Sequence, residues 1–239
     1  MERDNKMLKL IKDNMPTDRK VKILELGSGR GGLSRHVAKN LIAEDKLEYL
    51  LAQNISETEN DYNRKKGLDE GLSADKFKVE YGTFDNMSFG PESFDVIFSN
   101  EAILHSADKA VLMQNIAKIL SKGGICVISD IIEAPNVDKS KLAEVYRRLD
   151  LPSMGNHELY DKELTGSGLT KVLKEVSSDP IINHYGMVLY SVTELKREEL
   201  LGPDGVTKEF LDQQASGLHK WVENGIEGLV QQGWFVYKK

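Results

Sequence analysis

Apolar positions in this chain follow two spacings in turn. Residues Val21–Leu26 (VKILEL) form a short β-rich run that ends on a cluster of glycines, and from Gly32 onward Leu33, Val37 and Leu41 recur every four residues along one helical face. The pattern predicts strand, tight loop, helix. It returns in residues 47–53 (LEYLLAQ) with a polar helix from Ser56, in strands at 77–81 (FKVEY) and 94–98 (FDVIF), in a helix across VLMQNIAKIL stopped at Gly123 and Gly124, and in a strand at 124–130 (GICVISD). Strands alternating with helices predict an α/β fold, Rossmann-like, with a mostly parallel sheet covered by helices on both faces.

Beyond Asp130 the alternation loosens. Helical spacing returns at 138–150, 158–166, 181–200 and 206–223, with a strand near 170–176 and a last strand within 229–239. The simplest parse is one domain over 1–239: an N-terminal helix in 1–20, a cofactor-binding core in 21–130, and a cap with late sheet elements in 131–223. The helical cap is expected over the C-terminal edge of the strands, where open α/β sheets bind ligands.

Composition narrows the chemistry. A chain of 239 residues carries a full core without metal or disulfide staples. Its net charge of −6 gives no general attraction to phosphate backbones or anionic lipid, so neither nucleic acid nor membrane is expected as a partner. The lone Cys126 excludes an internal disulfide and fits a reducing, cytoplasmic home. His36, His157 and His219 lack metal-ligand spacing, and no metal is expected. The charged N-terminus does not read as a targeting segment, and no apolar run approaches membrane-spanning length.

The loop Glu25-Leu26-Gly27-Ser28-Gly29-Arg30-Gly31-Gly32 lets a ligand approach the backbone and the start of a helix. Its glycines satisfy both the dinucleotide and the S-adenosylmethionine fingerprints. Two other features bear on the choice. Glu25 suits a ligand carrying an ammonium group and would repel a pyrophosphate. At the end of the second strand, where a nicotinamide enzyme needs an acid, stand the neutral amides of Gln53 and Asn54. Thr83 and Phe84 follow the third strand, where an adenine ring can be edged and stacked, and Asn100 and Glu101 close the fourth, with Asn100 beside the methionine part.

Taken together, ILELGSGRGG, QNIS (53–56), YGTF (81–84) and FDVIFSNEAILHSADK (94–109) resemble a class I S-adenosylmethionine-dependent methyltransferase. More narrowly, Asn54-Ile55, the run Ala102-Ile103-Leu104-His105-Ser106, VDKS (137–140), Met154-Gly155, His184-Tyr185 and HKWVENG (219–225) resemble the sarcosine/dimethylglycine N-methyltransferases of glycine betaine synthesis. Phosphoethanolamine N-methyltransferases share the Ala-Ile-Leu-His run and remain the rival.

The resemblance implies a seven-stranded sheet with its last strand antiparallel, S-adenosyl-L-methionine as cofactor, and a small amine as substrate for a monomer or homodimer. By it Glu25, Gly27 and Gly29, with Ser28 and Gly31 of the same loop, take the methionine end. Asn54 with Ile55 takes the ribose, and Thr83 and Phe84 take the adenine. His105 matches the catalytic histidine of the phosphoethanolamine enzymes, and Glu101, Met154, His184 and Tyr185 are placed with the acceptor. Such relatives usually carry tens of residues and lid tyrosines ahead of the first strand; here about twenty residues precede Val21 and no tyrosine precedes Tyr49. Weak cofactor affinity and low activity are therefore expected of residues 1–239 alone. A cofactor-binding, non-catalytic subunit is the remaining alternative.

Overall fold

The computed structural model describes residues 2–84, 87–151, 153–195, 197–201 and 205–239. In chain order the elements are α1 (Glu2–Asn14), β1 (Val21–Leu26), α2 (Gly32–Ala43), β2 (Leu47–Asn54), α3 (Glu57–Asp69), β3 (Phe77–Tyr81), β4 (Phe94–Asn100), α4 (Lys109–Ile119), β5 (Leu120–Glu133), α5 (Ala143–Leu149), α6 (His157–Gly166), β6 (Thr170–Ser177), α7 (Asp179–Tyr190), α8 (Arg197–Leu200), α9 (Lys208–Ile226) and β7 (Val230–Lys238). The strands form one seven-stranded sheet in the order β3-β2-β1-β4-β5-β7-β6, mostly parallel with β7 antiparallel. β1 to β4 thus form where the alternating pattern places them.

The helix starts have local causes. Ser56 caps α3 by accepting from the Glu59 N–H at 3.4 Å, and Asp108 caps α4 by accepting from the Val111 N–H at 3.0 Å. The glycine pair at 123 and 124 does not end α4. The helix stops at Ile119 and residues 120–123 are already strand: Leu120 pairs with Phe94 of β4, and the C-terminal residue holds the glycines that follow. Gly123 donates to the Lys239 carbonyl at 2.8 Å, and the Lys239 ammonium caps the carbonyls of Ala117 and Leu120 at 2.8 and 2.7 Å. The helix expected over 181–200 is interrupted by a wide turn at Ser191–Leu195. There the Thr193 hydroxyl donates to the Leu189 carbonyl at 2.9 Å and competes with the helical ladder. Lys196, inside that expected helix, lies outside the described residues.

The chain divides into two compact units, Met1–Asp130 with Glu158–Glu175 and Trp234–Lys239, and Ile131–His157 with Val176–Gly233. In the first, Met7 and Ile11 of α1 and Val37 and Leu41 of α2 are wholly buried in one core with Ile23, Leu50, Val96, Ile125 and Val127 of the strands. Each such side chain contributes roughly 1.5–3 kcal/mol by leaving water. Cys126 is buried here too, and burial pushes its thiol pKa up to about 12, which leaves it inert. In the second unit α7 and α9 pack closely because Gly225 leaves room: a Cβ there would stand 3.0 Å from Ile182 Cγ1. Tyr185 stacks on the buried Trp221 ring at 4.3 Å in that interface. Among the described residues no helix is long and apolar enough to cross a membrane.

Candidate functional site

In the sheet order, β1 lies between β2 and β4, so the chain winds outward in opposite senses on either side of the β1–β4 pair. Such a reversal opens a crevice at the C-terminal ends of the strands. Register sets which residues meet there. Leu26 pairs with Gln53, Asn54 with Tyr81, and Glu25 with Phe98, so Gly27, Asn54, Tyr81 and Asn100 fall in one row at the strand ends and Ile55, Gly82 and Glu101 in the next. The Gly27 and Ser28 N–H groups both donate to the Gln53 carbonyl, at 2.9 and 3.0 Å, and the Ser99 hydroxyl donates to the Leu26 carbonyl at 2.8 Å. These bonds tie the first loop to the ends of β2 and β4.

Two glycines of the loop are required by space as well as by backbone. Gly27 has φ +76°, and a Cβ there would lie 2.3 Å from Ala102 Cβ. Gly31 has φ +74°, and a Cβ there would lie 1.9 Å from the Asn63 amide. Behind the loop stands a brace the sequence did not announce. The Arg35 guanidinium donates to the Arg30 carbonyl at 2.8 Å, to Asn63 Oδ1 at 2.7 Å and to Glu70 at 3.0 Å, with Arg35 and Asn63 both buried.

The crevice is a cleft of about 300 Å³. Of the residues singled out from sequence, Gly27, Gly29, Asn54, Ile55, Thr83, Phe84, Glu101 and His105 line it, and Gln53, Gly82, Ala102, Ser106 and Ala107 line it with them. Glu25, Ser28, Gly31 and Asn100 stand behind this lining. Glu25 is only 2 % exposed and accepts a hydrogen bond from the Ser34 hydroxyl. Burial pushes its pKa up to about 7, against the smaller opposing effects of Ser34 and the Arg35 charge. Ser28 Oγ, Asn100 Oδ1 and Ser106 Oγ are buried and have no hydrogen-bond partner among the described residues. Met154, His184 and Tyr185 belong to the second unit, where Met154 is buried and Tyr185 is packed as described.

His105 ends a 3-10 turn, Ile103–His105, whose closing N–H donates to the Ala102 carbonyl at 3.0 Å. Partial burial of its ring, and after it the positive charge of Lys109, hold its pKa below the ordinary histidine value, so the imidazole is neutral at pH 7. Lys109 is itself buried, its ammonium donating to the Ser106 carbonyl at 2.9 Å.

Sequence reasoning missed three neighbours. Glu59 accepts from the Asn54 amide at 3.1 Å, which sets a carboxylate beside the neutral residue at the end of β2. Its signal was present, since Ser56 and Glu59 have capping-box spacing. Arg3 of α1 forms an ion pair with Glu101, a contact across the chain that no local pattern announces. Ser106 stands in the Ala-Ile-Leu-His-Ser run, but nothing in that run says its hydroxyl is left unpaired.

Residues 17–175 match the family model described as a methyltransferase domain. The chain is 32% identical over 212 residues to the glycine/sarcosine/dimethylglycine N-methyltransferase of Actinopolyspora halophila, covering 89% of this chain and 36% of that relative. It is 31% identical over 218 residues to the sarcosine/dimethylglycine N-methyltransferase of Aphanothece halophytica, covering 91% of this chain and 76% of the relative. A crystal structure of a candidate sarcosine dimethylglycine methyltransferase from Galdieria sulphuraria superposes with a TM-score of 0.88 at 26% identity, over 100% of this chain and 85% of that one. A glycine-looped strand end, a neutral histidine in the same cleft and a family match across most of the sheet converge: the chain belongs to the methyltransferase-domain family and is an S-adenosylmethionine-dependent methyltransferase.

Proposed function

We propose that the chain methylates the nitrogen of a small amine, sarcosine or dimethylglycine, on the route to glycine betaine. The observation that carries this reading is the placement of Glu101 and the neutral His105 in the same 300 Å³ cleft as the glycine loop. The likeness to relatives named for sarcosine and dimethylglycine supports it.

The residues present fit S-adenosylmethionine. The loop leaves Gly27 and Gly29 without side chains at the cleft wall, and the buried, unpartnered Ser28 Oγ and Asn100 Oδ1 await polar groups of a ligand. Gly27, Gly29 and Ser28 would hold the methionine end, with the Glu25 carboxylate behind them for its ammonium. Asn54, steadied by Glu59, would take the ribose, and Thr83 and Phe84 the adenine. When bound, the cofactor supplies an already activated methyl group on a sulfonium, so the protein has mainly to align and deprotonate the amine. Glu101 holds the acceptor's ammonium at the cleft wall. His105, neutral, would accept the proton from that nitrogen and leave its lone pair free for the methyl group that the bound cofactor would supply.

The test is methyl transfer from S-adenosylmethionine to a panel of glycine, sarcosine, dimethylglycine and phosphoethanolamine. Transfer to sarcosine or dimethylglycine in preference to the others is expected. Transfer to phosphoethanolamine alone would replace the acceptor, and cofactor binding with no transfer to any amine would leave the chain a non-catalytic subunit.

A further inference from the structure

Glu101 is unusual in its backbone and in its partner. It sits at φ +52°, a left-handed conformation that a side-chain-bearing residue adopts at a cost, and it is held there by its N–H donating to the Ser129 carbonyl at 2.7 Å. This conformation follows directly on the end of β4 and places the residue in the cleft wall. Its carboxylate is paired with the Arg3 guanidinium from the first turn of α1. α1 in turn is fixed: Met7 and Ile11 are wholly buried, and the Lys6 ammonium lies 4.7 Å over the Trp234 ring. Arg3 is therefore held against Glu101, a residue of the cleft wall, by a packed helix, and the two side chains are 37% and 27% exposed, open enough for exchange with a ligand.

An ion pair at a cleft wall is the complement of a zwitterion. An amino acid that is methylated on nitrogen carries an ammonium and a carboxylate one carbon apart, and it can enter between a guanidinium and a carboxylate while each charge keeps an opposite partner. A simple amine cannot: it takes Glu101 and leaves Arg3 unpaired. We propose that Arg3 and Glu101 together read the acceptor as a zwitterion, Glu101 taking the ammonium and Arg3 the carboxylate, and that the two side chains hold each other until the acceptor separates them. Arg3 is then a specificity-determining residue contributed by the N-terminal helix. The inference rests on the amine-methylating function proposed above and names the part of the acceptor that α1 recognises.

The experiment compares dimethylglycine with N,N-dimethylethanolamine, which keeps the amine and replaces the carboxylate with an alcohol. Each is assayed with the full chain as acceptor and as competitor, and each is titrated in the presence of S-adenosylhomocysteine. In Arg3→Gln the KM and Kd for dimethylglycine should rise about tenfold with kcat little changed, as for loss of one charge-assisted contact. Affinity for dimethylethanolamine should rise, because Glu101 is released from its guanidinium. Arg3→Lys should recover part of the dimethylglycine affinity, and Glu101→Gln should weaken both ligands. A loss in Arg3→Gln that is equal for the two ligands, or no change for either, overturns the pairing while the proposed function stands. If the unaltered chain transfers no methyl group to sarcosine or dimethylglycine, the function fails and this reading falls with it.

Discussion

The cleft at the strand ends of the first unit and the α7–α9 interface of the second are assembled on opposite plans. In the helix interface side chains satisfy one another: Tyr185 stacks on Trp221 and Gly225 admits Ile182, while the buried Trp221 indole N–H has no partner among the described residues. In the cleft the chain withholds satisfaction. Ser28 Oγ, Asn100 Oδ1 and Ser106 Oγ are buried and unpaired among the described residues, Glu25 is a buried carboxylate, and Glu101 occupies a left-handed conformation. Each of these costs stability where no ligand compensates, of the order of 1–3 kcal/mol for a buried unpaired group or a strained residue. A cluster of such costs in one place, where the helix interface bears few of them, marks where binding energy is to be returned. Substitutions should therefore act on function in the cleft and on stability in the helix pair.

The largest effect is expected at His105. Replacing it with alanine removes the proton acceptor and should lower turnover by about 10²–10⁴-fold, with cofactor affinity by calorimetry nearly unchanged. The pH profile sharpens the assignment. Only the neutral imidazole accepts a proton, so activity rises with pH through the histidine pKa. Because that pKa is lowered, the rise should have its midpoint below the ordinary histidine value, about 6.5. Unchanged turnover in His105→Ala would take the residue out of the chemistry.

The glycine loop comes next. Gly31→Ala sets a side chain at φ +74° and 1.9 Å from the Asn63 amide, so either the loop or the Arg35–Asn63 brace must move. A strained residue together with a displaced buried hydrogen bond costs roughly 2–4 kcal/mol, and S-adenosylmethionine affinity should fall by about 30-fold or more. Asn63→Ala, which makes room, should partly restore affinity in the double variant. Absence of that coupling would show that the brace does not position the loop.

The two regions also differ in how much of them the sequence discloses. Strands β1 to β4 and their loops were legible because each is a short apolar run ended by glycine or amide residues, and because a parallel sheet puts its strand ends in one row. Of the residues that line the cleft, Gly27, Gly29, Asn54, Thr83, Phe84 and Glu101 were singled out on that basis, whereas Ile55 and His105 came from the family resemblance. What stayed hidden depends on long-range contact. Arg3 meets Glu101 across 98 positions, Arg35 meets Asn63 across 28, and strand β5 begins early because Leu120 pairs with Phe94 of β4 and Lys239 binds Gly123. The interruption at Ser191–Leu195 escaped for a different reason: one hydroxyl turned back on its own helix, which no hydrophobic spacing records.

Glu25 offers a test of the withheld satisfaction itself. Its folded-state pKa, raised by burial to about 7, exceeds the ordinary glutamate value in the unfolded chain, so the folded state binds the proton more tightly. The cofactor-free protein should therefore keep its full stability below about pH 4.5 as far as this group is concerned, and lose stability as pH rises from there to about 7. Glu25→Gln abolishes the loss and should stabilise the cofactor-free chain at pH 8 by an amount on the order of 3 kcal/mol at most, measured by denaturant unfolding across pH. The same variant should bind S-adenosylmethionine more weakly, because the amide offers no charge to its ammonium. Stability gained with cofactor affinity also gained would mean that Glu25 is simply a poorly placed buried acid.

The smallest effect belongs to the helix pair. Tyr185→Leu removes an aromatic partner from Trp221 but keeps an apolar side chain in the interface, and the stacked geometry is worth about 0.5–1.5 kcal/mol beyond the area it buries. If Tyr185 serves packing, the loss should appear in full in the unfolding free energy, and any change in acceptor KM should be no larger than that loss explains. Tyr185→Phe keeps the ring and should leave the stack intact. An acceptor KM that rises for both variants while the unfolding midpoint holds would move Tyr185 from the packed region to the functional one.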